Sequence, residues 1–201
     1  MKKIAIRLLF IIFLPLSTFA KMPAHTEKQS ENQKAIFAAG CFWCVESDLE
    51  KVHGVKNVIS GYEGGVLPNP TYKLVSSGST NYAEAVQVEF DPSIISYEKL
   101  LTYFWKNTDP TVKDQQFCDI GHQYRSEIFY LNDTQKKAAI ASLDKVKQKF
   151  PEVYTGVSEA TKFYPAEEYH QEYSKKNPKR YHFYRWNCGR DKRLKEIWGK
   201  S

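Results

Sequence analysis

The 201-residue sequence contains no internal repeat, no low-complexity tract and no apolar run of the roughly 20 residues that a membrane-spanning helix needs. The apolar run at residues 8–14 is shorter, follows three basic residues and precedes the small residues around Ala20. This order is typical of a secretory signal peptide, so we expect cleavage after Ala20. The chain should then be exported to a periplasmic or other extracytoplasmic compartment, without stable membrane association. An uncleaved anchor is the alternative.

Neither sign of charge is in large excess once that segment is set aside. The formal net charge of +6 falls to +3 without residues 1–20, since 26 basic residues then stand against 23 acidic ones. Basic residues cluster only near the C-terminus, at Arg190, Lys192, Arg193 and Lys195. A solvated helix face explains this cluster better than a nucleic-acid patch, so we expect no nucleic-acid partner.

Cysteine is scarce, and its four positions are Cys41, Cys44, Cys118 and Cys188. An even number in an exported chain suggests disulfides, but a domain of this size does not need them for stability. A structural zinc site would need a second closely spaced pair, and haem attachment would need His directly after Cys44, where Val45 stands. We therefore expect no metal and no cofactor, and the C-x-x-C pair predicts a dithiol switch.

Strand-like and helix-like segments alternate along a single domain at residues 34–201, which follows a polar linker at residues 21–33. Alternation and apolar runs predict strands at residues 35–39, 55–62, 82–90, about 126–131 and about 157–162. Helical spacing predicts helices at residues 41–51, around the stripe from Tyr97 to Trp105, at residues 134–150 and from Pro165. The pattern indicates an α+β fold, one mixed sheet with helices packed on it.

Cys41 follows Gly40 at the junction between a predicted strand and a predicted helix. The positive end of the helix should stabilise a thiolate, so we expect the pKa of Cys41 to lie below the usual value of about 8.5. Cys44 is one helical turn further on, within reach of a disulfide. A buried, inert Cys41 is the alternative.

Two other stretches contain candidate groups. In the strand at residues 82–90, Glu84 shares a face with Tyr82, Val86, Val88 and Phe90, so burial would raise its pKa and make it a general acid near neutral pH. The opposite case, a solvated Glu84, is equally compatible with the strand alone. The second stretch, residues 117–129, crowds polar side chains into a loop and is either a site or a surface turn, with Cys118, Asp119, His122, Tyr124 and Arg125 as its members.

These stretches together resemble the type A peptide methionine sulfoxide reductases. The resemblance covers the chain from about Lys34 nearly to its C-terminus and is carried by residues 40–43 (GCFW), 61–65 (GYEGG), 68–72 (PNPTY), 83–86 (AEAV) and 121–126 (GHQYRS). It implies a two-layer α+β sandwich with a ferredoxin-like core. It also implies reduction of methionine S-sulfoxide, free or in proteins, as a repair of oxidised exported proteins.

The resemblance assigns a role to each candidate group. Cys41 would attack the sulfoxide sulfur and become a sulfenic acid, while Glu84 would donate a proton to the oxygen with hydrogen bonds from Tyr72 and Tyr124. Three further residues would bind the substrate: Phe42 and Trp43 around the methyl group, and Asp119 at the rim.

The resolving cysteine is less certain, because many relatives have Gly at the position of Cys44. Both Cys44 and Cys188 qualify, and we favour a disulfide between Cys41 and Cys44, with Cys188 relaying it outward or resolving directly. Cys118 would pack near the site. A thioredoxin-like donor outside the cytosol would then restore the thiols.

Two rival functions remain. The C-x-x-C pair could serve a general dithiol–disulfide oxidoreductase, although that function leaves Glu84 and the Phe42-Trp43 pair unexplained. Thirteen tyrosines lend mild support to a non-enzymatic, aromatic-rich binding domain.

Overall fold

The computed structural model describes residues 31–199. The predicted signal peptide at residues 1–20 and most of the predicted linker at residues 21–33 lie outside this range. Gln33, the last residue of the predicted linker, is the first residue of the first strand. Within the described residues, every helix is too short or too polar to cross a membrane.

Eight strands and seven helices are described. The strands are β1 (Gln33–Ala39), β2 (Val55–Glu63), β3 (Ala83–Phe90), β4 (Gln115–Gln116), β5 (Asp119–Ile120), β6 (Ser126–Tyr130), β7 (Gly156–Glu159) and β8 (Tyr164–Pro165). The helices are α1 (Phe42–Leu49), α2 (Tyr72–Ser76), α3 (Tyr97–Lys106), α4 (Asp133–Lys147), α5 (Tyr173–Lys176), α6 (Pro178–Asn187) and α7 (Arg190–Trp198). Most predicted elements are present within a few residues of their expected bounds.

Six strands form one mixed sheet in the order β7-β6-β1-β3-β2-β8. Neighbours are antiparallel except for the parallel pair β6 and β7. Strands β4 and β5 form a separate two-residue hairpin. The predicted α+β architecture with a mixed sheet is confirmed, while its finer description as ferredoxin-like stays a prediction.

Alternation along the central strands divides the core into two layers. On one face, Phe37 and Val86 pack in the main cluster with α1, α3 and α4, and all five residues of the predicted α3 stripe are buried there. On the other face, Ile36 and Ala85 belong to a smaller cluster, against which Phe163 packs. Because successive side chains of a strand point to opposite faces, the period-two pattern places Glu84 on the face that the helices cover.

The helix predicted from Pro165 is wrong. Tyr164 and Pro165 instead pair with β2 as an edge strand, where a residue without an N–H is tolerated. Glu167, expected to begin the helix, accepts hydrogen bonds from the Tyr62 hydroxyl (2.7 Å) and the Tyr72 N–H (2.9 Å). The Glu167 carboxylate therefore links β2 to α2, and the next helix, α5, begins only at Tyr173.

The solvated-face prediction for the C-terminal basic cluster is only partly right. Lys192 and Lys195 are exposed on α7. Arg190 is buried and donates to the carbonyls of Ala39 (3.3 Å) and Asn107 (2.7 Å). A buried guanidinium that binds two carbonyls ties α7 to the end of β1, directly before the predicted nucleophile.

Candidate active site

A small pocket lies where β1 ends and α1 begins. Gly40 makes the turn with φ +82°, and a Cβ built on it would lie 2.5 Å from the Cβ of Gln116, so the position requires glycine. Cys41 then occupies the N-cap of α1. The pocket has a volume of about 80 Å³ and is lined by Cys41, Phe42, Trp43, Tyr72, Glu84, Asp119, Tyr124 and Tyr184. It unites all the predicted catalytic and substrate-binding residues, but neither candidate resolving cysteine lines it.

Cys41 is a free thiol, and its surroundings correct the expected direction of its pKa. Burial, a hydrogen bond with Cys44 and the nearby carboxyls of Glu84 and Asp119 raise the pKa of Cys41 above its ordinary value. The prediction of a lowered pKa took into account only the N-terminus of α1, which stabilises a thiolate. Desolvation by the folded chain outweighs it, so Cys41 rests as a thiol.

Cys44 is also free and buried, one turn along α1 from Cys41. It packs in a small aromatic cluster with Tyr173 and Tyr181. The hydrogen bond with Cys41 lowers the pKa of Cys44, and the cations of Arg190 and Arg185 act in the same direction. The two thiols lie one helical turn apart, and a disulfide between them stays a prediction.

Glu84 is buried on β3, 2% exposed, so the solvated alternative is wrong. Its Oε2 accepts a hydrogen bond from the backbone N–H of Phe42 (3.1 Å), beside Cys41. Burial raises the pKa of Glu84 to about 8, and the charge of Asp119 adds to the shift. The carboxyl therefore holds its proton at neutral pH within the pocket that contains the Cys41 thiol.

Two tyrosines reach the pocket from different segments. Tyr72 is the first residue of α2, and Tyr124 comes from the short 3-10 turn at residues 122–124. Burial, with a contribution from Glu84, raises the pKa of Tyr72 to about 12 and raises that of Tyr124 as well. Both phenols keep their protons and remain hydrogen-bond donors over the physiological pH range.

The aromatic wall is built from residues that lie far apart in the chain. The indole of Trp43 stacks on Tyr173, with ring centroids 3.7 Å apart and planes 7° from parallel. Its Nε1–H donates to Nδ1 of His170 (3.0 Å), and the ring of His170 lies 5.0 Å from that of Phe42. Neither His170 nor Tyr173 follows from the motif around Cys41.

Asp119 forms the rim of the pocket together with a residue that the sequence analysis missed. The hydroxyl of Tyr184 donates to Oδ2 of Asp119 at 2.5 Å, while burial raises the pKa of Asp119. The polar stretch at residues 117–129 is thus partly a site and partly a surface. His122 is exposed and pairs with Asp114 (2.7 Å), and Arg125 pairs with Glu127 (2.6 Å).

Cys118 and Cys188 form a disulfide that sequence analysis did not anticipate. It joins the residue before β5 to the C-cap of α6, so it lies one residue from Asp119 and one helical turn from Tyr184. Cys118 is exposed. The two sulfurs and a carboxylate oxygen of Asp119 lie within 4.8 Å of one another, but the disulfide uses both thiols, which leaves no thiolate to bind a metal here.

Comparison with known proteins gives a consistent result. The family model described as Peptide methionine sulfoxide reductase matches residues 33–201. The Vibrio cholerae peptide methionine sulfoxide reductase MsrA/MsrB is 47% identical over 94% of this chain, which spans about half (52%) of that protein's length. The Bacillus licheniformis peptide methionine sulfoxide reductase MsrA is 47% identical over 85% of this chain and 96% of its own.

A solved structure has the same fold. The reduced form of Mxr1 from Saccharomyces cerevisiae superposes with a TM-score of 0.70 and 32% identity, over 74% of this chain and 87% of that one. The same yeast protein in complex with Trx2 superposes with a TM-score of 0.52 over 78% of this chain and 91% of that one, where 22% identity supports the fold alone.

Proposed function

Because the chain belongs to the type A peptide methionine sulfoxide reductases, we propose that the pocket at Cys41 reduces methionine S-sulfoxide, free or in proteins. One observation carries the assignment of residues: a thiol and a carboxyl with a pKa of about 8 line the same small pocket beside two aromatic rings. Sulfoxide reduction needs a nucleophile for sulfur and a proton for oxygen, and these groups supply both.

In the first step, the sulfur of Cys41 attacks the sulfoxide sulfur. The substrate sulfur is reduced by two electrons to methionine, and Cys41 is oxidised by two electrons to a sulfenic acid that retains the oxygen. Cys41 rests protonated, so its proton must leave as the attack proceeds. A neutral thiol cannot accept a proton, so the acceptor is the thiolate form of Cys44, which Cys41 and the cations of Arg190 and Arg185 favour by lowering the pKa of Cys44.

Glu84 acts as the general acid of this step. The sulfoxide oxygen gains negative charge as sulfur is attacked, and it cannot leave sulfur unprotonated. At neutral pH the buried carboxyl still carries the required proton. Tyr72 and Tyr124 donate hydrogen bonds to the same oxygen and stabilise its developing charge.

Substrate is held by the aromatic wall and the rim. The rings of Phe42 and Trp43, with centroids 6.3 Å apart, enclose the apolar methyl group beside the attacked sulfur. Asp119, oriented by Tyr184, accepts a hydrogen bond from the substrate main chain or its α-amino group. Because these contacts need only a methionine sulfoxide side chain and its backbone, the site accepts both free and peptide-bound substrate.

The catalytic cycle closes through the other cysteines. Cys44 attacks the sulfenic acid of Cys41, which releases water and forms a disulfide one turn long. Reduced Cys188 then relays that disulfide by thiol–disulfide exchange, which ends as a bond between Cys188 and Cys118. The exposure of Cys118 and the burial of Cys41 and Cys44 support this order, since a protein reductant can reach only the outer pair.

A thioredoxin-like protein with a dithiol is the proposed reductant. The yeast relative Mxr1 has been solved in complex with Trx2, which supports this class of partner. The signal-like sequence at residues 1–20 supports export, so the donor would act outside the cytosol on oxidised exported proteins. Pulse-labelling with fractionation tests export: a shorter mature chain outside the cytosol is expected, and a full-length cytosolic chain would contradict it.

The activity is tested with purified protein, methionine S-sulfoxide and dithiothreitol. Wild-type protein should form methionine, and Cys41→Ser should form none. Turnover by Cys41→Ser protein would refute the assignment.

Peptide mapping after one turnover without reductant, starting from fully reduced protein, tests which cysteine resolves the sulfenic acid. A bond between Cys41 and Cys188, with Cys44 free, would show that Cys188 resolves directly.

A further inference from the structure

We propose that His170 is a positioning residue of this reaction, which fixes the indole of Trp43 and thereby sets the wall that receives the sulfoxide methyl group. The inference rests on the proposed function, because His170 does not line the pocket and would act through side chains that do, above all Trp43, to which it is hydrogen-bonded. No local feature of the sequence pairs the two residues, which lie 127 positions apart.

The hydrogen bond between the two rings defines the state of His170. Nδ1 accepts from the Trp43 Nε1–H at 3.0 Å, and a ring nitrogen that accepts carries no proton. His170 must therefore be neutral with its proton on Nε2, a nitrogen that meets no hydrogen-bond partner within residues 31–199. Burial lowers the pKa of His170, against the opposing charge of Glu167, and so favours the neutral form that can accept.

The segment that contains His170 is itself firmly held. The backbone N–H of His170 donates to the carbonyl of Glu167 (2.8 Å), and the Glu167 carboxylate accepts from Tyr62 and from the N–H of Tyr72. The His170 ring also lies 4.3 Å from the ring of Tyr72, centroid to centroid. His170 is thus a fixed point between two walls of the pocket.

Tyr173 and His170 constrain Trp43 in complementary ways. The stack on Tyr173 fixes the plane of the indole but permits rotation and sliding within that plane. The hydrogen bond to Nδ1 prevents this movement, because it holds one edge of the ring. On α1, Glu46 accepts from the N–H of Glu172 (3.1 Å) and keeps the start of α5, with Tyr173, against the same helix.

Two substitutions of His170 test separately its role as hydrogen-bond acceptor and its role as an aromatic ring. His170→Phe keeps an aromatic ring of similar size but cannot accept a hydrogen bond, whereas His170→Asn places an amide oxygen near Nδ1 and loses the ring. Because one hydrogen bond changes an equilibrium by about three- to tenfold, His170→Phe should raise the KM for methionine S-sulfoxide by about that factor. His170→Asn should stay within about twofold of wild type.

Single-turnover kinetics with excess sulfoxide provide the measurement, because the saturation constant and the limiting rate of methionine formation are read separately. The limiting rate should change by less than about twofold, since the wall binds ground state and transition state alike. His53→Leu, an exposed histidine on a turn, is the matched control and should change neither value.

A double-mutant cycle with Trp43→Phe tests whether His170 acts through the indole. In the Trp43→Phe background, His170→Phe should have no further effect on KM. An equal rise in both backgrounds, an unchanged KM in His170→Phe alone, or a larger loss in His170→Asn than in His170→Phe would overturn the inference. Failure of the wild-type protein to reduce methionine S-sulfoxide would instead refute the proposed function.

Discussion

Replacement of Glu84 by Gln tests the proposed general acid. With a pKa of about 8, Glu84 is roughly nine-tenths protonated at pH 7 and roughly one-tenth protonated at pH 9. The amide of Gln fills the same space but has no proton to transfer, so the first turnover at pH 7 should slow by about 10²- to 10⁴-fold. Because the wild-type acid is lost as pH rises, the ratio of wild-type to Glu84→Gln rates should fall about tenfold between pH 7 and pH 9.

The assay is rapid-quench measurement of methionine formed in one turnover, at saturating sulfoxide and at pH values from 6 to 9. The ratio of the two rates is used because the pH dependence of steps that do not involve Glu84 is common to both proteins. Glu84→Gln also removes a charge that raises the pKa of Cys41, so the ionisation of Cys41 is titrated separately in each protein. Glu89→Gln, on the same strand and partly exposed, serves as the matched control and should follow the wild-type profile.

Two results would refute the reasoning. A rate ratio that stays constant from pH 6 to pH 9 would mean that the proton of Glu84 is not transferred. A ratio that falls about tenfold per pH unit from pH 6 onward, without a plateau between pH 6 and pH 7, would mean that Glu84 has the ordinary pKa of a glutamate and that burial does not hold its proton.

Other consequences can be measured on the same protein. The pKa of Glu84 is higher in the folded state, so the wild-type protein loses stability as pH rises from 4.5 towards 8. The free energy of unfolding of Glu84→Gln, measured in urea, should therefore exceed that of wild type by about 3 kcal/mol at pH 7 and by little at pH 4. Glu46→Ala should cost about 1–3 kcal/mol in the same measurement, because the N–H of Glu172 loses its acceptor, while Glu46→Gln should cost much less. Cys188→Ser should keep its first turnover but lose multiple turnover with thioredoxin; unchanged thioredoxin-linked turnover would contradict the relay.

The parts of the site that sequence predicts are those that local pattern determines. The period of β3 places Glu84 on one face with Val86 and Val88, although the strand alone leaves open whether that face is covered, and the strand–glycine–helix order places Cys41 at the start of α1. Both inferences need only a few neighbouring residues. The resemblance then supplies Tyr72 and Tyr124, whose segments no local rule brings to this pocket.

The parts that sequence does not predict depend on contacts between distant segments. The partners of Trp43 come from residues 170 and 173, and the bond between Cys118 and Cys188 closes a separation of 70 residues. The raised pKa of Cys41 has the same origin, because desolvation by the assembled core outweighs the helix N-terminus. Pro165 and the acidic residues after it are typical of a helix start. In the structure, Tyr164 and Pro165 instead pair with β2 at the edge of the sheet.

The most direct test of the account is to identify the atom that receives the oxygen. In Cys44→Ser protein, pre-reduced and given one equivalent of methionine S-sulfoxide, a sulfenic-acid trap followed by mass spectrometry should find the adduct on Cys41. The amount of adduct should match the methionine released. Methionine released without modification of Cys41, or with the adduct on another cysteine, would contradict the central claim.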